Sequence, residues 1–196
     1  GDVSVGATGK LGDGSESGTN EFGSLTIANG GTYIATSGTT TITGEGDGSS
    51  GTNGFAWYND NATFTHNKGK VVIDTAGNNH TLVAENTFYD LEINQTSSVY
   101  EMKLRPSNNG GTANKILNNF TLTSGIFEKN NASDTLDIFG LTNISANGKF
   151  MEDANENTNT ITHHGLVTNS GTYKINDGTT VKMNGGIRNL GTITVA

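Results

Sequence analysis

One short pattern written four times between Asn119 and Ala196 constrains this chain more than anything else in it. Phe120-Thr-Leu122-Thr-Ser-Gly125-Ile-Phe127 is the first copy, and Leu141-Thr-Asn-Ile144-Ser-Ala-Asn-Gly148-Lys-Phe150 the second. Leu166-Val-Thr-Asn-Ser-Gly171-Thr-Tyr173 and Ile187-Arg-Asn-Leu190-Gly191-Thr-Ile193 follow. Each copy is a short apolar segment, a polar turn, then glycine, any residue, and an aromatic or aliphatic side chain. The glycines at 125, 148, 171 and 191 are spaced by 23, 23 and 20 residues. A fixed period of this size marks a solenoid, in which each repeat is one small supersecondary unit.

A second apolar piece lies between successive glycines, as in Thr135-Leu-Asp-Ile138 and Thr179-Thr-Val-Lys-Met183. Both alternate apolar and polar residues, which is the strand period, and no copy has the run at helical spacing that a helix needs. Thr, Val, Ile and aromatics fill these pieces, while Gly, Asn, Asp and Ser fill the gaps. The predicted fold is therefore all-β, a single-stranded parallel β-helix of about 20–23 residues per coil. A coil this small buries its apolar side chains only by stacking on the next, so equivalent inward residues form columns. Phe127, Phe150, Tyr173 and Ile193 are expected in one column. Leu122, Ile144 and Val167 are expected in its neighbour, with Leu190 the candidate to extend it. The glycine before each aromatic reads as a corner, where a positive φ or close backbone approach excludes a Cβ.

Hydrophobic residues make up 32% of the 196 residues, below the globular norm. A thin solenoid core needs few of them, and their periodicity, with only 15% charged residues, argues against disorder. A net charge of −8 with scattered basic residues argues against a nucleic-acid partner. With no Cys there is no disulfide framework and no thiolate metal site. No run of 18 apolar residues predicts membrane insertion. The chain starts at Gly1 without a leader and stops at Ile193-Thr-Val-Ala196 in mid-strand, which reads as a segment of a longer chain.

Residues 1–23 are poor in apolar side chains and read as an irregular N-terminal arm or cap, ahead of a β-helix domain over 24–196. Ser24–Tyr33 is an early copy of the repeat, with Thr39–Thr43 as its second strand. Loops are expected at 44–54, 95–114 and 152–160. Phe55-Ala-Trp57-Tyr58 is the densest aromatic cluster, and Trp57 and Tyr58 suit either a subunit interface, where aromatics are enriched, or the core.

Gly69-Lys-Val-Val-Ile-Asp74, Asn86-Thr-Phe-Tyr-Asp-Leu-Glu-Ile-Asn94 and Leu122-Thr-Ser-Gly125-Ile-Phe127 together resemble the repeats of parallel β-helix proteins of bacteriophage particles and bacterial cell surfaces. The likeness covers most of residues 24–196. It implies a virion-surface or extracellular location, assembly as a homo-oligomer, often a trimer, or with other surface proteins, and a glycan or host-surface receptor as a possible ligand. It carries no functional residue, because the repeat is defined by packing.

Candidate chemistry is sparse. Asp134 and Asp137 flank a strand, but residues three apart point to opposite faces, so they do not make a carboxylate pair for glycoside chemistry. Glu152-Asp153-Ala-Asn-Glu156 is an acidic turn with oxygen donors for Ca²⁺, and reads as a solvated loop. Gly46-Asp-Gly-Ser is not repeated as a calcium-binding β-roll requires. His163-His164-Gly165 invites comparison with the Gly-His-Gly of β-helix pectin hydrolases, yet the paired aspartates and the later Arg-Ile-Lys are missing. Adjacent histidines on a strand face opposite ways and do not chelate one ion. His66 and His80 are isolated. The run Thr39–Thr43 suggests a threonine ladder of the ice-binding kind, but Leu136–Ile138 and Val181–Met183 break it. No catalytic residue, cofactor or metal site is expected. The expected function is a non-enzymatic structural or adhesive module on a bacteriophage virion: a fibre, spike or capsid decoration. A bacterial adhesin fragment and a polysaccharide-degrading β-helix enzyme are the alternatives.

Overall fold

The computed structural model describes residues 1–44, 46, 54–76, 80–83, 87–96, 101–105, 113–129, 135–152 and 159–195. It is a parallel β-solenoid of about 23 residues per coil, with no helix among the described residues. Each coil contributes one strand to each of three faces, and strands pair in parallel with their counterparts in the adjoining coils, except that the second face is divided into two sheets, between Thr63–Thr65 and Thr87–Phe88.

Face one stacks Val3–Val5, Leu25–Ile27, Phe55–Asn59, His80–Val83, Glu101–Arg105, the second halves of Phe120–Lys129 and Thr142–Glu152, then Thr172–Ile175 and Thr192–Val195. Face two stacks Lys10–Leu11, Thr32–Ile34 and Thr63–Thr65, then Thr87–Phe88, Ala113–Ile116, Thr135–Ile138, Thr160–His163 and Thr180–Met183. Face three stacks Asn20–Phe22, Thr39–Ile42, Lys70–Ile73, Asp90–Asn94, the first halves of the two long strands, Val167–Asn169 and Ile187–Asn189. The two long strands turn a corner without a break because Gly125 and Gly148 lie in register there. Gly125 has φ +88°, and a Cβ on Gly171 would stand 2.1 Å from the Gly148 carbonyl oxygen, so both corners exclude a side chain.

Parallel pairing at a spacing of about 4.8 Å puts like above like. Met102, Phe127, Phe150, Tyr173 and Ile193 are successive register partners. Phe150 lies 5.3 Å from Phe127 and 4.7 Å from Tyr173, the latter ring nearly parallel to it at 12°. A second aromatic box, Tyr33, Trp57, Phe64 and Phe88, fills the early coils. Ion pairs link neighbouring coils, Lys70 with Glu92 and Lys103 with Glu128 at 3.3 Å, and Lys103 also lies 3.0 Å from Glu101 on its own strand.

Four expectations need correction. Residues 1–23 are not an irregular arm: their three short strands pair in parallel with the next coil and bring Val3, Val5, Leu11 and Phe22 into or against the core. Val167 does not stand on Ile144; it pairs with Thr142 and Ile187, and Ile144 pairs with Asn169. The cause is corner length. Residues 145–147 separate Ile144 from Gly148, but only Ser170 separates Asn169 from Gly171, so counting back from the glycine misplaces the strand by two residues. A shift of two preserves the inward parity, so Val167 is still buried. Leu190 is 62% exposed, because it occupies the outer corner just before Gly191. Trp57 offers no interface: its ring faces inward and is fully buried, whereas Tyr58, next in the alternation, faces out against Phe55. Ile193 keeps its register with Tyr173 but is 36% exposed, since no described coil stacks beyond it.

Replacing Phe150 by Ala removes a fully buried ring from the middle of a column, and chemical denaturation is expected to show a loss of about 3–5 kcal/mol. The outward-facing neighbour Lys149→Ala should change stability by no more than about 0.5 kcal/mol. Gly171→Ala should cost about 1–3 kcal/mol or more by the same measurement, because backbone oxygens of two residues occupy the space its Cβ needs.

Candidate functional site

The strand Thr160–His163 and the residue after it carry the histidine pair, and strand alternation divides them. His163 faces inward and is fully buried. Its Nδ1 lies 2.8 Å from the Thr142 hydroxyl of face three, and its Nε2 lies 2.9 Å from the Tyr173 hydroxyl of face one. Phe150 packs edge-on against it at 5.9 Å. Burial, with the charge of the adjacent His164 adding to it, pushes the imidazole down to about 4, so it is neutral at pH 7. A neutral ring donates from one nitrogen and accepts at the other, and the two hydroxyls supply either complement. Both nitrogens are occupied inside a closed core, which leaves neither for a substrate or a metal ion.

His164 faces outward. Its ring stacks on Phe139 at 4.5 Å, and its Nε2 lies 3.1 Å from the Asp137 carboxylate. Asp137 is thus engaged with His164, and Asp134 lies outside the described residues. The acidic turn after Glu152, the Gly46-Asp-Gly-Ser stretch beyond Gly46, and most of the loops at 44–54, 95–114 and 152–160 also lie outside them. His66 accepts a hydrogen bond at Nδ1 from the Lys68 amide at 3.0 Å and stacks on Tyr89, and partial burial lowers its pKa. No group of three or more His, Asp or Glu able to hold a metal ion occurs among the described residues.

Two clefts sit at the first coils. One of about 350 Å³ is lined by Leu11, Asp13, Glu16, Phe22 and Tyr33 among others. Its Asp13 carboxylate is tied to the side chain and amide of Ser15, which hold its pKa low. Another, of about 390 Å³, runs between Asp2, Ser24, Thr26 and Phe55, and there Ser24 donates a hydrogen bond to Asp2 at 3.0 Å. Neither brings together two free carboxylates or a nucleophile with a base.

The interior polar network is what sequence reading missed. Asn169, fully buried, donates to Asn189 at 2.7 Å and to the Thr192 carbonyl at 3.0 Å, and accepts from the Gly171 amide. Tyr33 and Thr40 share a buried hydrogen bond of 2.9 Å. The signal was in the text: Thr-Asn and Arg-Asn stand at the same place in successive repeats, where an apolar residue would otherwise face inward. Compared with protein-family models, curated proteins and solved structures, the chain matches none of them.

Zinc added to the protein is expected to leave the ring resonances of His163 and His164 unshifted in NMR spectra. A stoichiometric shift of both rings would overturn this division of the pair.

Proposed function

We propose that this chain is a non-enzymatic structural or adhesive rod on the outside of a particle, most specifically a bacteriophage virion protein such as a fibre, spike or capsid decoration. The observation that carries the reading is the parallel register, with inward columns, running from Val3–Val5 to Thr192–Val195. Such a stack resists bending and leaves free strand edges only at its ends. Its outward side chains, such as Thr121, Asn143, Thr168 and Arg188 in one register row, bear none of the packing and are free to vary with a surface. The likeness of Asn86–Asn94 and its neighbours to surface repeats supports the location. Homo-trimeric assembly, or assembly with other virion or surface proteins, and a glycan or host receptor as ligand, belong to the same reading. So does the absence of a nucleic-acid partner, which the net charge of −8 supports.

Mass spectrometry of purified virions and of isolated cell envelopes tests the location, and recovery with the virions is the expected result. Recovery only with a cell envelope would move the rod to a bacterial surface. Incubation with acidic polysaccharides should release no reducing ends; turnover lost on Asp137→Asn would replace the scaffold with an enzyme.

A further inference from the structure

His163 crosses the interior as a strut. Thr142, His163 and Tyr173 belong to three consecutive coils and to three different faces, and two hydrogen bonds of 2.8 and 2.9 Å join them. All three side chains are fully buried. The early coils hold together differently, through the rings of Tyr33, Trp57, Phe64 and Phe88. We propose that the strut is an acid-operated latch: proton uptake by the His163 ring loosens the coils carrying Thr142, His163 and Tyr173 while the aromatic box of the early coils stays closed.

A protonated imidazole donates from both nitrogens, so the two hydroxyls become acceptors only and the buried charge needs an anion. The described charged side chains on the strands packed around it do not provide a free one: the buried Glu128 of face one is paired with Lys103 at 3.3 Å. Asp137 and Lys182 sit on face two at the outward register position of Thr162, and Asp137 is engaged by His164. Lys149 and Lys174 lie on the outward positions of face one, and Arg188 is exposed on face three. Lys129, buried on face one, is itself a cation. The charge of the adjacent His164 further opposes a cation at His163.

The His163 pKa lies near 4 in the folded chain and at 6.5 when exposed. Between those values the opened chain takes up the proton and the closed chain does not. The stability of the neutral latch is therefore whole well above pH 6.5, falls as pH drops through 6.5 towards 4, and levels off below 4. The gap sets a limit of about 300-fold on the rise in the local opening constant, of which about 100-fold is reached between pH 7 and 4 because half of the closed-state rings are already protonated at pH 4.

Amide hydrogen exchange on the whole chain, expressed as protection factors corrected for intrinsic rate, tests this between pH 7 and 4. Opening of residues 142–144, 160–163 and 172–175 should rise by about 100-fold, against a much smaller rise at 25–27 and 32–34. His163→Gln keeps a donor and an acceptor but does not titrate, and should flatten the response. An equal response in His163→Gln, or equal loosening of the early coils, overturns the latch. Should His163→Gln fail to fold, the wild-type His163 ring is followed by NMR. A ring midpoint near pH 4 with opening that begins below pH 6.5 supports the latch, and a ring that titrates near 6.5 with the coils still closed overturns it.

Discussion

The backbone hydrogen bond between successive coils is what the rest of this molecule depends on. It is parallel, it repeats at the strand spacing of about 4.8 Å, and it fixes each residue above its counterpart. Given that ladder, a narrow core becomes sufficient: each inward side chain is covered above and below by the coils, as Phe150 is by Phe127 and Tyr173. The same ladder makes the corners unforgiving. Gly140, Gly165 and Gly185 stack at one corner so closely that a Cβ on any of them would fall about 2.2 Å from neighbouring backbone. A chain with 28 glycines and few apolar residues is consistent with these two demands.

Polar residues inside the stack follow the same logic. A buried hydroxyl, amide or imidazole is tolerable where the next coil offers a partner at coil spacing. Asn169 over Asn189, Tyr33 beside Thr40, and Thr142–His163–Tyr173 are three such solutions. They differ in chemistry. The amide pair does not titrate, whereas the imidazole is held neutral by its surroundings. Burial of a titratable group turns one part of an otherwise uniform rod into a pH-dependent part.

The fold was legible because the repeat period, the strand alternation and the corner glycines all come from short-range chemistry written in every copy. The column through Phe127, Phe150 and Tyr173 could be read by counting forward from each glycine, since one residue always intervenes. The column through Ile144 could not be read by counting backward, because corner length varies between coils and a local pattern does not record it. The parity that separates His163 from His164 was legible; the partners of His163 were not, since Thr142 and Tyr173 come from other coils and other faces. The first coil was missed because its apolar residues, Val3, Val5, Leu11 and Phe22, are too widely spaced to show a period. Function is faint for a physical reason as well: the outward residues are released from packing, so the repeat says nothing of what they meet.

The most direct test of the stacking itself is a set of proton–proton nuclear Overhauser contacts between aromatic rings in the intact chain. Parallel coiling predicts contacts linking Phe127 to Phe150 and Phe150 to Tyr173, with amide contacts between strands 22 to 25 residues apart, such as Leu122 with Ile144 and Thr142 with Val167. Missing ring contacts, or the close α-proton pairs of antiparallel strands, would contradict it.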